Sequence, residues 1–220
     1  MRRSTFCFLV LFCIVCLVSC QQNSNAKIIT DEKVEVANDI TLYEFEKAKI
    51  NNDIYTRDSS IHTSNDIILV MNDHDTIYYF RDNKGVPYDE DRKKYKYIGY
   101  LQKIGKNVIQ INEYENLYYI LLDKNTYQID TIAGIPYLSP NGKYIFCQQY
   151  NPYESYEEYE PPTSDSYLYK ITGNKIKLVY KMVFDWIIED SYWNDDLNIY
   201  LKGKDKNDNK VILKRLFIKN

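Results

Sequence analysis

The residue pattern beyond position 39 leaves few folds open. Apolar residues fall in runs of five to eight, rich in Val, Ile, Tyr and Phe, and clusters of Asn, Asp, Gly and Lys separate them. Runs of that length suit strands rather than buried helices, and the polar clusters supply turn chemistry. Read in order, they predict strands over 67–71, 76–81, 95–101, 107–113, 117–123, 126–132, 143–149, 166–171, 175–183, 197–202 and 210–218. Short connections between such strands imply an antiparallel all-β meander. One helix is predicted over 42–50, because Thr41 and Glu44 have capping-box spacing and Phe45 and Ala48 continue one face.

A weak internal repeat refines the expectation. The turn Leu138-Ser139-Pro140-Asn141-Gly142-Lys143 feeds a hydrophobic strand, and 55 residues later Trp193-Asn194-Asp195-Asp196-Leu197 repeats the outline. A second strand follows each copy, over 167–171 and 211–216. The first turn resembles the Ser-Pro-Asp-Gly-Lys turn of β-propeller blades of the Tol-system and WD-like type. Asn141 stands where the family has Asp, and both residues tolerate a turn with positive φ. The resemblance implies blade-like units over residues 100–220 and a propeller-like domain of about four blades or partial blades. A β-sandwich is the alternative.

The N-terminus carries an address. Arg2 and Arg3 precede an apolar run of 13 residues, 6–18, shorter than the roughly 20 needed to span a bilayer. Leu17-Val18-Ser19-Cys20 resembles the lipobox of bacterial lipoproteins. The resemblance implies a signal peptide over 1–19 and a palmitate-bearing, diacylglyceryl-modified Cys20 as the membrane anchor. It also implies residence on the outer membrane, at the periplasmic face. Two or more acyl chains make such anchoring stable. The polar stretch after Cys20 reads as a flexible tether over 20–38, leaving 39–220 as a single all-β domain.

Charge and cysteine usage exclude several classes. The formal charge is −3 with Arg2 and Arg3 counted, and it becomes more negative once they leave, so no basic excess serves nucleic acid. Of five cysteines, the lipobox resemblance places Cys7, Cys13 and Cys16 in the leader and makes Cys20 the acylated one. Cys147 alone remains, which leaves no internal disulfide and no cysteine-based metal site. Its apolar neighbours Tyr144, Ile145 and Phe146 point to a buried structural thiol.

Candidate chemistry is sparse. His74 sits in Asn72-Asp73-His74-Asp75, which reads as a hairpin turn, and His62 beside Ser59, Ser60 and Thr63 reads as a polar loop. Asp205-Lys206-Asn207-Asp208-Asn209 opens like a calcium loop, but Lys210 replaces the required Gly and Leu216 the bidentate Glu. It reads as a hairpin tip. The run Asp89-Glu90-Asp91-Arg92-Lys93-Lys94 compensates itself and reads as a solvated loop. No catalytic residue, metal site or cofactor is expected, and the chain does not read as an enzyme.

The feature that folding explains least lies between Tyr150 and Pro162. Tyr150, Tyr153, Tyr156 and Tyr159 recur at every third residue, interleaved with acidic residues that include Glu157 and Glu158. Long connections of this kind carry function disproportionately, and exposed tyrosines offer contact area at low entropic cost. The opposing reading is that the rings pack back on the domain. The expected role is a binding module of the envelope with a protein or glycan partner. The alternatives are an immunity or inhibitor lipoprotein against an envelope toxin or hydrolase, and a carbohydrate-active enzyme.

Overall fold

In the computed structural model the described residues are 32–38, 40–49, 55–72, 75–83, 92–113 and 116–219. Strand β1 (Lys33–Ala37), helix α1 (Leu42–Lys49) and β2 (Tyr55–Thr56) come first. Strands β3 (Ile61–Ser64), β4 (Ile67–Asn72) and β5 (Asp75–Arg81) form a first sheet. Next come β6 (Lys93–Leu101), β7 (Lys106–Glu113), β8 (Asn116–Asp123) and β9 (Ile129–Ile132), joined at the β6 edge by β2 into a second sheet. The third sheet is β10 (Tyr137–Leu138), β11 (Tyr144–Asn151), β12 (Thr163–Thr172) and β13 (Lys175–Phe184). The last consists of β14 (Ile187–Trp193), β15 (Asn198–Lys204), β16 (Val211–Lys219) and the N-terminal β1. Every pairing is antiparallel. The protein is all-β, as the run lengths imply.

Each sheet packs on the next through its own apolar layer. Ile61, Ile68 and Val70 of the first sheet meet Ile109, Ile111, Ile120 and Leu122 of the second. The opposite face of the second, with Val108, Tyr119 and Leu121, meets Ile145, Cys147 and Tyr169 of the third. Tyr144, Phe146 and Leu168 then turn the other way, onto Trp193, Ile199, Leu201 and Leu216 of the last. The two middle sheets are therefore buried on both faces. This is why β8 and β11 read as continuous apolar runs instead of alternating ones.

The repeat has a spatial meaning. The backbone N–H of Asn141 donates to the Asp196 carboxylate at 2.6 Å, and those positions are 55 apart, the repeat offset itself. Trp193 Nε1 donates to the Tyr137 carbonyl at 2.7 Å. Equivalent turns of the third and last sheets thus lie side by side. Matching β10, β11 and β12 to β14, β15 and β16 leaves β13 without a counterpart in the later chain, and β1 takes that place beside β16.

Several expectations need correction. The tether does not run to residue 38, because residues 33–37 are β1: Val34 and Val36 pack against the layer around Trp193, and the β16 edge supplies the backbone partners. Strands β2, β3, β10 and β14 escape the pattern, the first and third because two residues carry no periodicity. His62 belongs to β3, exposed, and not to a loop. The strand placed over 126–132 starts only at Ile129, because Asp123 Oδ1 captures the N–H groups of Asn125 and Thr126 and Tyr127 adopts a φ of 59°. The helix forms as expected, with Glu44 Oε2 accepting from Thr41 N–H at 2.7 Å. Its buried Phe45 and Ala48 rest on Tyr200. The 205–210 segment is a hairpin tip in which Asp205 Oδ1 accepts from Asn207 N–H at 2.7 Å.

Candidate binding loop and its anchor

The tyrosine–glutamate segment is a shaped excursion of the third sheet. Strand pairing continues to Tyr150↔Ser164 and Asn151↔Thr163, so Tyr150 belongs to β11 and the excursion spans residues 152–162. Asn151 organises its start: Oδ1 accepts from Glu154 N–H at 2.9 Å and from Tyr153 N–H at 3.3 Å, and Nδ2 donates to the Glu154 carbonyl. Further along, Tyr156 and Tyr159 exchange backbone hydrogen bonds at 2.9 and 3.2 Å. The Glu160 carbonyl accepts from Lys206 Nζ, which ties the return limb to the β15–β16 turn.

The three-residue spacing divides the tyrosines. Tyr150 and Tyr153 stand in solvent, 55% and 85% exposed. Tyr156 and Tyr159 are half-buried, and Glu157 and Glu158 are exposed. Two of the four rings therefore pack back on the domain and two stand clear of it.

Tyr156 is held from beneath by residues the sequence did not single out. Its hydroxyl donates to Asp165 Oδ2 at 2.6 Å, Tyr167 donates to the same oxygen at 3.2 Å, and Lys181 Nζ lies 3.2 Å from it. The Lys181 ammonium also sits 5.4 Å from the Tyr156 ring centre and 5.3 Å from that of Tyr167, within cation–π range. Burial, with the Asp165 bond added, pushes the Tyr156 hydroxyl well above the usual phenol value. Tyr167 is raised by burial and the same carboxylate. Both phenols therefore remain protonated donors through the physiological range. Asp165 itself is 96% buried as its exposure of 4% implies, and Oδ1 has no hydrogen-bond partner. A signal for this anchor does exist: Thr163, Ser164, Asp165 and Ser166 are four polar residues in a row where a core strand should be apolar. Ser164 has a separate task, accepting from Ile188 N–H at 3.0 Å.

A second buried polar group ties the first sheet to the second. Asp58 accepts from Asn107 Nδ2 and Lys124 Nζ, each at 2.9 Å, and from Ser60 N–H at 3.0 Å. Burial pushes its carboxyl upward, but the bonds from Asn107, Lys124 and Ser60 outweigh that and hold it at about 2. Nearby, buried Lys106 lies between Asp123 at 3.5 Å and Asp130 at 3.1 Å. These groups are satisfied by one another and act as fasteners. Cys147 is fully buried, and burial raises its thiol far above the ordinary value, which leaves it inert.

Cys20 and His74 lie outside the described residues. Among the described residues no helix is long and apolar enough to cross a membrane. Compared with protein families, with characterised proteins and with solved structures, the chain gives no match.

Proposed function

We propose that this chain is a lipid-anchored bacterial envelope protein that works by binding, through Tyr150 and Tyr153 and the acidic residues beside them. The lipobox-like Leu17-Val18-Ser19-Cys20 supports the anchor. The succession of four antiparallel sheets, with repeated turns in contact, supports a blade-like scaffold. The observation that carries the binding role is the division of the tyrosines. Two rings project into water, Tyr150 from the end of β11 and Tyr153 from the excursion, while Tyr156, in that same excursion, is fastened to a buried carboxylate. A loop held in one shape spends less entropy on binding than a mobile one, and aromatic anchors dominate interface energies.

The test compares two variants. Tyr150→Ser with Tyr153→Ser leaves thermal stability within about 0.5 kcal/mol and abolishes capture of the envelope partner. Tyr156→Phe costs about 1–2 kcal/mol by removing a bond to a buried carboxylate and weakens capture only through the altered loop. Capture that survives the double substitution refutes the loop as the recognition element. The anchor is tested apart from it: Cys20→Ala abolishes palmitate labelling and leaves an unprocessed precursor, and undiminished labelling refutes the lipoprotein reading.

A further inference from the structure

A cleft of about 520 Å³ opens between the first and second sheets, within the size range of ligand sites. One wall is made by five consecutive residues of β6, 95–99. A strand face presents only alternate residues, so a wall of consecutive ones is a strand edge. Pairing explains why, among the described residues, no strand runs along that edge. Strand β2 pairs with β6 at Tyr100 and Leu101, and Tyr55 and Thr56 also lie close over buried Gly99. Beyond Thr56 the chain is drawn off β6, because Asp58 is captured by Asn107 and Lys124 and its own N–H donates to the Tyr97 hydroxyl. At the other end the edge is occupied by Asn83, whose N–H donates to the Lys93 carbonyl, and by Asp82, whose carboxylate accepts Tyr95 N–H at 2.8 Å. Between these stops three residues, 96–98, extend about 10 Å.

The charge around this edge opposes that of the whole chain. Arg57 and Lys96 line the cleft, and Arg92 and Lys94 line an adjoining recess of about 450 Å³ that shares Asn65 with it. None of the four has an ion-pair partner among the described residues, whereas Lys93, Lys106, Lys124, Lys170 and Lys181 do. The recess also holds Asp66 and Asp82, and the latter is committed to Tyr95. Four cations without an ion pair among the described residues thus stand together on a chain of formal charge −3.

We propose that the cleft binds an acidic peptide in extended conformation, which adds as a strand to the bare stretch of β6 with its carboxylates toward Arg57 and Lys96. Backbone N–H and C=O groups on an uncovered edge are satisfied by another backbone, which a sugar chain does not supply. Lysines and a β-bulge are also the means by which proteins guard an edge against pairing. Here the bulge falls between Tyr97 and Gly99, so the test must separate a guarded edge from a receptive one.

The probe is a fluorescein-labelled pentapeptide alternating glutamate and valine, titrated into the full chain and read by anisotropy. Binding is expected, weakened at least tenfold by Arg57→Glu with Lys96→Glu. It is also expected to weaken at least tenfold when alternate amides of the peptide are N-methylated. Amide exchange at Tyr97 should slow in the complex. Lys96→Gln, a milder change at an exposed site, should weaken binding severalfold with an unchanged melting temperature. No binding, equal binding of a lysine–valine peptide, or indifference to N-methylation would show that the edge is merely guarded. Binding of an oligogalacturonide in place of the peptide would overturn the assignment in favour of an acidic glycan. Tyr150→Ser with Tyr153→Ser leaves peptide binding unchanged, so this inference and the loop reading fail separately.

Discussion

The first and last sheets occupy equivalent positions at the two ends of the stack, and they solve the problem of an outer face differently. On the last sheet, α1 lays Phe45 and Ala48 over Tyr200, with Tyr192 and Leu213 alongside. The residues that precede α1 form β1 and complete the same sheet. One short N-terminal segment thus supplies both an edge strand and a cover. The first sheet has three strands, and among the described residues no element packs on its outer face. There Tyr79 lies 54% exposed opposite Leu69, which in turn pairs with His62. Its attachment to the second sheet relies on an apolar layer plus the Asp58 network, where the last sheet relies on the large cluster around Trp193. A fold built in layers is as secure as the covering of its end layers, and here one end is covered and the other is held by charge.

The largest effect is expected where the covered end is anchored. Trp193→Ala removes a fully packed ring and the hydrogen bond to Tyr137, and should cost about 4 kcal/mol. Ile68→Ala in the first sheet should cost about 2–3 kcal/mol. Urea unfolding of the two variants measures the difference, and equal losses would erase the contrast between the ends. Native-state hydrogen exchange sharpens it: β3–β5 should open at lower free energy than β14–β16.

The covers themselves come next. Phe45→Ala should lose about 3 kcal/mol, while Tyr79→Ser, at the corresponding outer face of the first sheet, should change stability by less than about 0.5 kcal/mol. A large loss for Tyr79→Ser would show that this face is covered after all.

The effect of charge is the most selective. Asp58 titrates at about 2 in the folded protein, below the usual carboxylate value of about 3.9. Its contribution is therefore full above about pH 4 and is lost as the pH falls through about 2. Asp58→Asn should cost about 1–3 kcal/mol at pH 7. Its melting-temperature deficit against the wild type should shrink as the pH drops from 4 to 2. A deficit that stays constant across that range would mean that the network contributes by shape and not by charge.

The sequence by itself determined the fold class, because short apolar runs with turn residues between them can bury their side chains only as sheets. It also determined α1 through the Thr41–Glu44 capping box, and the location of the unusual loop through its tyrosine spacing. These are local signals, carried by residues within a few positions of one another. Tertiary structure decided the rest. Which tyrosines face water depends on Asp165 and Lys181, and Lys181 is 25 residues from Tyr156 along the chain. That β1 closes the last sheet depends on an edge formed by β16, nearly the whole chain away. Among the described residues β2 leaves β6 after Thr56, where Asp58 is captured by Asn107 and Lys124. Partners distant in sequence leave no periodicity at either end, so pairing, exposure and charge placement become readable only once the chain has folded.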